Sequence, residues 1–198
     1  GGGLYLRDSA ATLEGNTVQG NAASTADQGS GGGLYLLRSA ATLAGNTVVS
    51  NTASTDGDGF GGGLSIYYIY PNPGGNAMLN GNTVLSNTAS LNPAKTGEGG
   101  GLWVYQKRTF KLTNNLVVGN RGDHLSGGVY ISAGSAAKVF LINNTIADNA
   151  AQGGPAGVCP TQPQQTDLVD QGAKHHLVAQ PGLEPQAQGH GLSGHAVG

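Results

Sequence analysis

The side chains here that could do chemistry are acids, histidines, one thiol and a set of rings. Asp56-Gly57-Asp58-Gly59 presents two carboxylates among glycine carbonyls, the kind of oxygen set from which calcium draws about six to eight ligands. Asp27, Glu98 and Asp123, the last beside His124, also stand ahead of a glycine-rich segment. Their offsets differ, so the spacing favours solvated turns over a stacked metal site, and calcium at Asp56 and Asp58 is the one cofactor the sequence admits. His175, His176, His190 and His195 match no standard ligand spacing and lie in a Gly- and Gln-rich stretch that makes a poor scaffold. Cys159 is the only cysteine, which excludes an internal disulfide and a thiolate cage, and no base is fixed beside it to make it a nucleophile.

The rings are Tyr5, Tyr35, Tyr67, Tyr68, Trp103, Tyr105 and Tyr130. Held on a rigid face they would stack on sugar rings with little entropy lost, or on one another, which stabilises a sheet. They are the candidate carbohydrate-binding residues, and no catalytic residue is assigned.

What must position them is a repeat. Gly1-Gly2-Gly3-Leu4-Tyr5-Leu6 returns as Gly31-Gly32-Gly33-Leu34-Tyr35-Leu36, as Gly61-Gly62-Gly63-Leu64, as Gly99-Gly100-Gly101-Leu102 and, worn down, as Ser126-Gly127-Gly128-Val129, with a faint sixth copy near Gly157-Val158. Inside each copy two asparagines keep one spacing: Asn16 and Asn21, Asn46 and Asn51, Asn82 and Asn87, Asn115 and Asn120, Asn144 and Asn149. In this alignment Tyr5, Tyr35, Trp103 and Tyr130 share one column, interrupted by Ser65, with Tyr67, Tyr68, Tyr70 and Tyr105 close by.

Leu4-Tyr5-Leu6 alternates with the two-residue period of a strand buried on one face. Ala11-Thr12-Leu13 and Asn16-Thr17-Val18 read the same way, and no window carries a helical period. Three short strands per copy cannot close a core alone, so the copies must stack, with like positions about 4.8 Å apart along an axis. A leucine-rich repeat wants a helical segment per unit, and a propeller blade wants antiparallel hairpins and about 40 to 50 residues. The expected fold is therefore all-β, a right-handed three-sided parallel β-helix of about five to six coils, since parallel crossovers are right-handed in about 98 % of cases.

Stacked amides donate and accept at once, so the ten asparagines are expected to form structural ladders, at corners whose left-handed backbone Asn tolerates. The connection after the first strand is longest in copy three, where Tyr67-Tyr68-Ile69-Tyr70-Pro71-Asn72-Pro73-Gly74-Gly75 is inserted; solenoid insertions gather on working faces. The repeat domain spans 1–160, and 161–198, rich in Gln, Gly, Pro and His, is an irregular tail or cap.

Charged residues make up 10 % of the chain, against about 25 % in typical domains. Net charge is −2, and no basic cluster exceeds Lys107-Arg108, which removes the electrostatic footprint of a nucleic-acid binder. No apolar run is long enough to cross a bilayer as a helix. A chain opening at Gly1 without a leader reads as a mature or excised segment.

The segments GGGLYL and ATLxGNTVxxNTAS resemble the repeats of secreted right-handed β-helix proteins of the pectin-lyase-like superfamily, including bacterial surface proteins and polymorphic outer-membrane-protein repeats. The likeness covers residues 1 to about 158, and residues 174–182 faintly resemble the closing segment of such bacterial proteins. It implies a bacterial extracellular or cell-surface location. Lyases and hydrolases on this fold use carboxylates on neighbouring coils, but beside the first strand the outward columns read Arg7, Leu37, Tyr67, Tyr105, Ser132 and then Asp8, Arg38, Tyr68, Gln106, Ala133, with no stacked acids. The leading expectation is a non-enzymatic structural or adhesive protein. It would contact a glycan or a cell-surface protein, or assemble with copies of itself through its coil ends. A carbohydrate-active enzyme is the alternative. The threonine column Thr17, Thr47, Thr83 and Thr145, broken by Leu116, is too short and irregular for ice.

Overall fold

Each Leu-x-Leu segment pairs in parallel with its image one repeat on, Leu4 with Leu34, Leu34 with Leu64, Leu64 with Leu102 and Leu102 with Val129. A computed structural model of the chain describes residues 1–68, 77–106, 109–133, 138–160 and 167–170. In it the strands Leu4–Arg7, Leu34–Leu37, Leu64–Tyr67, Leu102–Gln106, Val129–Ala133 and Val158–Pro160 make one six-stranded sheet, the first sheet. The second is also six-stranded and runs from Thr12–Glu14 through Thr42–Ala44, Met78–Asn80, Phe110–Thr113 and Lys138–Ile142 to Asp167–Asp170. The third holds Thr17–Gln19, Thr47–Val49, Thr83–Leu85, Leu116–Val118 and Thr145–Ala147. All pairings are parallel, and about five coils stack into an all-β solenoid with no helix among the described residues.

Beyond the three strands expected per repeat, two further segments also pair. Ala22–Ser24, Thr52–Ser54, Thr88–Ser90, Arg121–Gly122 and Ala150–Ala151 form a fourth sheet, and Gly29–Ser30, Gly59–Phe60 and Gly97–Glu98 a fifth. Their small and polar residues carry little apolar signal; backbone pairing to the neighbouring coils makes them strands.

The aliphatic columns meet inside. Leu34, Leu36, Leu43 and Val48 are at most 1 % exposed, as are Leu64, Ile66, Leu102 and Val104 in later coils. Each such side chain contributes about 1.5–3 kcal/mol by leaving water. In the first coil Leu4, Leu6, Leu13 and Val18 are only partly buried.

The corner after the first sheet changes along the rod. In the first two coils Asp8 and Arg38 turn it with left-handed φ of 50° and 49°. In the third and fourth coils the chain stays extended, so the two-residue alternation that buries Leu64 and Ile66 buries Tyr68, and the one that buries Leu102 and Val104 buries Gln106. Tyr68 and Gln106 are each 2 % exposed. The outward placement read from sequence for Tyr68, Gln106 and Ala133 is therefore corrected: all three belong to the interior, Ala133 at 5 % exposed, together with Phe110.

Both asparagine columns form continuous ladders. In the first, the backbone N–H and side-chain Nδ2 of Asn46 both donate to Oδ1 of Asn82, at 2.9 and 3.0 Å, while Nδ2 also donates to the Leu13 carbonyl at 2.8 Å. The second ladder repeats this through Asn21, Asn51, Asn87, Asn120 and Asn149. The left-handed residue of each corner is not the ladder asparagine but the one before it: Gly15, Gly45, Gly81, Asn114 and Asn143 in one column, Gly20, Ser50, Ser86, Gly119 and Asp148 in the other. That bend turns the next side chain inward, and it leaves the ladder residue free to be chosen for its amide.

Candidate functional site

The outward column of the first sheet is built by strand register. Tyr5 pairs with Tyr35, Tyr35 with Ser65, Ser65 with Trp103, and Trp103 with Tyr130, while Tyr67 pairs with Tyr105 two residues along. Parallel register lays ring on ring. Tyr5 and Tyr35 stack at 5.3 Å with planes 23° apart. Trp103 stacks on Tyr67 at 5.9 Å and 21°, on Tyr105 at 6.0 Å and 12°, and on Tyr130 at 6.2 Å and 10°. Tyr67 and Tyr105 meet at 5.2 Å. Such pairs contribute about 0.5–1.5 kcal/mol each beyond the area they bury.

Two partners of this cluster went unread in the sequence. Phe60 meets Trp103 edge-on at 5.5 Å and 64°, and Glu98 Oε2 accepts the indole Nε1–H at 3.0 Å. Phe60 and Glu98 are register partners in the fifth sheet. The signal was present, because each stands immediately before its glycine run, one column ahead of the rings. Cys159 extends the ring column by pairing with Tyr130. Burial, and then Glu98, push its thiol pKa up, toward the protonated form.

Of the seven ring candidates, Tyr5, Tyr35, Tyr67, Trp103 and Tyr105 keep outer edges in solvent, Tyr5 most of all at 46 %. Tyr130 is buried at 9 % as the ladder's inner rung, and Tyr68 lies in the core, out of reach of any ligand on this face. Burial, then the phenols of Tyr5 and Tyr67, raise the Tyr35 pKa above its ordinary value. Tyr70 and the four tail histidines fall outside the described residues.

Ser65, where the ring column is interrupted, is fully buried and its hydroxyl has no hydrogen-bond partner. An orphaned buried hydroxyl costs about 1–3 kcal/mol in desolvation. Ser65→Ala is accordingly expected to raise stability by about 1 kcal/mol, read as a higher urea midpoint; a lower midpoint would mean that the hydroxyl is satisfied.

The carboxylates singled out for calcium brace a turn. Asp56 Oδ1 accepts from Asn92 Nδ2 at 2.7 Å, and Asp58 Oδ1 from the Thr96 N–H at 2.8 Å, tying the loop of the next coil to theirs. Asp123, whose side chain is wholly buried, takes Arg121 Nε and Nη2 on Oδ1 at 2.9 and 2.8 Å. Among the described residues no three of His, Cys, Asp or Glu gather at one point. Asp8 is gripped by Arg38 through two hydrogen bonds of 2.8 and 2.7 Å. The threonine column runs through the third sheet in register, Thr17, Thr47 and Thr83 followed by Leu116 and Thr145.

Comparison with curated proteins and with solved structures returns no match. Residues 1–159 match the family described as the right-handed β-helix region. With its coils paired in parallel throughout and two amide ladders running along its axis, the chain belongs to the right-handed β-helix family.

Proposed function

We propose that the protein is a non-enzymatic structural β-helix of the bacterial cell surface or exterior, a rigid rod whose ring ladder serves as a glycan-contact face. The observation that carries this reading is the ladder itself. Rings already stacked on one another lose little freedom when a ligand arrives, and preorganisation of this kind raises affinity. Two experiments test it. On a glycan array the wild type should bind, and Trp103→Ala, which removes the ring that touches Phe60, Tyr67, Tyr105 and Tyr130, should lose about tenfold or more in affinity. Incubation with acidic and neutral polysaccharides, with and without calcium, should release neither unsaturated products nor new reducing ends; turnover would overturn the non-enzymatic reading in favour of a lyase or hydrolase.

A further inference from the structure

On the reading that the ring ladder contacts glycans, we infer that the glycan is a neutral, hydroxyl-rich polysaccharide lying along the coil axis, and not an acidic one. The first argument is geometric. Interplanar angles of 10–23° at centroid distances of 5.3–6.2 Å in the stacked pairs mean that these rings share a similar tilt and overlap at an offset, each shielding part of its neighbour's face. What each tyrosine of the ladder adds at the end of its ring is a phenol oxygen. Tyr5, Tyr35, Tyr67 and Tyr105 supply these oxygens over the first four coils, with Tyr5 exposed and the other three half-exposed. A phenol both donates and accepts, as a sugar hydroxyl does, whereas a uronate carboxylate only accepts and needs a compensating charge.

The second argument is electrostatic. Among the described residues on the outer side of the first sheet, the cation is Arg7. Its Nε lies 3.4 Å from Asp8, which Arg38 also holds. The charge at the ladder's centre is the opposite one, the Glu98 carboxylate fixed against the Trp103 indole. An acidic chain laid along this strip would meet Glu98 at the ladder's centre, and the arginines that could offset it stand at the first two coils, sharing Asp8. A neutral chain meets no such opposition, and Glu98 can accept hydrogen bonds from its hydroxyls.

The test is affinity electrophoresis through gels containing a neutral β-glucan, a neutral mannan, polygalacturonate or alginate, at low and high salt. The proteins are wild type, Trp103→Ala and the double variant Tyr67→Phe/Tyr105→Phe, which keeps the ring stack and removes two hydroxyls. Thermal melting of each variant reports its fold. The expected result is retardation by a neutral polysaccharide that salt does not relieve, weakened about fivefold or more in the double variant with its melting temperature kept. Salt-sensitive retardation by an acidic polysaccharide overturns the neutral class while sparing the glycan-contact reading. Full binding by the double variant together with loss in Trp103→Ala overturns the role given to the hydroxyls. Retardation by no polysaccharide overturns the glycan-contact reading and this inference with it.

Discussion

Asn87→Ala is expected to destabilise the protein by about 3–9 kcal/mol, because it takes a partner from three buried polar groups at about 1–3 kcal/mol each. The Asn87 side chain accepts from both the backbone N–H and Nδ2 of Asn51, at 2.9 and 3.0 Å, and donates to the Val48 carbonyl and to Asn120 Oδ1, at 2.9 and 3.0 Å. The residue is fully buried, so no water replaces what is lost. A loss of that size is a large part of the roughly 5–15 kcal/mol that holds a domain folded. Asn87→Asp separates donor from acceptor. It keeps the two bonds from Asn51, but it sets a second carboxylate oxygen where Nδ2 faced two acceptors, so it should be nearly as damaging near neutral pH and partly relieved in acid, where the protonated carboxyl can donate once. Asn16→Ala is the control, since this end rung is exposed and its loss should stay under about 1 kcal/mol. Urea unfolding of the three variants measures the series. Equal midpoints for Asn87→Ala and Asn16→Ala would show that the inner amides are tolerated and not required.

The columns aligned in the sequence are the columns that pair in space: Leu13 stands beside Leu43, Val48 beside Val84, Thr17 beside Thr47. This register was legible because a solenoid turns sequence period directly into spatial contact, so a repeated letter is a repeated neighbour. The ladder asparagines could be read for the same reason. What stayed hidden depended on the backbone between the columns. That Gly15 and Ser50, and not the asparagines after them, take the left-handed bend leaves no mark in residue type, since Gly, Ser, Asn and Asp all serve there. Tyr68 shares its sequence column with Asp8 and Arg38. Whether the chain bends at that position or stays extended decides the matter, and the insertion that follows Tyr68 gave no means to tell. The ring cluster was half legible, because Tyr5, Tyr35, Trp103 and Tyr130 share a column, whereas Phe60 and Glu98 reach it from the adjoining sheet.

Gly59→Ala is expected to prevent the coils on either side of it from stacking, which is a larger effect than any side-chain loss above. A Cβ at Gly59 would fall 1.7 Å from the Ala89 carbonyl oxygen and 2.2 Å from its carbon. Those are backbone atoms of the next coil, held by sheet pairing on both sides, and cannot swing away as the end of a side chain would. Gly29 stands in the same relation to Ala53, at 1.7 Å, so the exclusion belongs to the column. Gly45 separates this effect from backbone strain: its φ is +61°, yet a Cβ there would meet nothing within 4 Å. Gly45→Ala should therefore lose only the left-handed penalty of about 1–2 kcal/mol, in line with Ser50 and Ser86, which hold the same kind of bend at φ of 53° and 54°. Each coil of a solenoid is stabilised only by its neighbours, so a clash that parts the second coil from the third leaves two short stacks, each with newly exposed apolar interior and strand edges. Circular dichroism and limited proteolysis should find Gly45→Ala folded with a modestly lowered melting temperature, and Gly59→Ala without a cooperative transition. A cooperative Gly59→Ala melting within a few degrees of wild type would mean that the fifth sheet can separate from the fourth without breaking the stack.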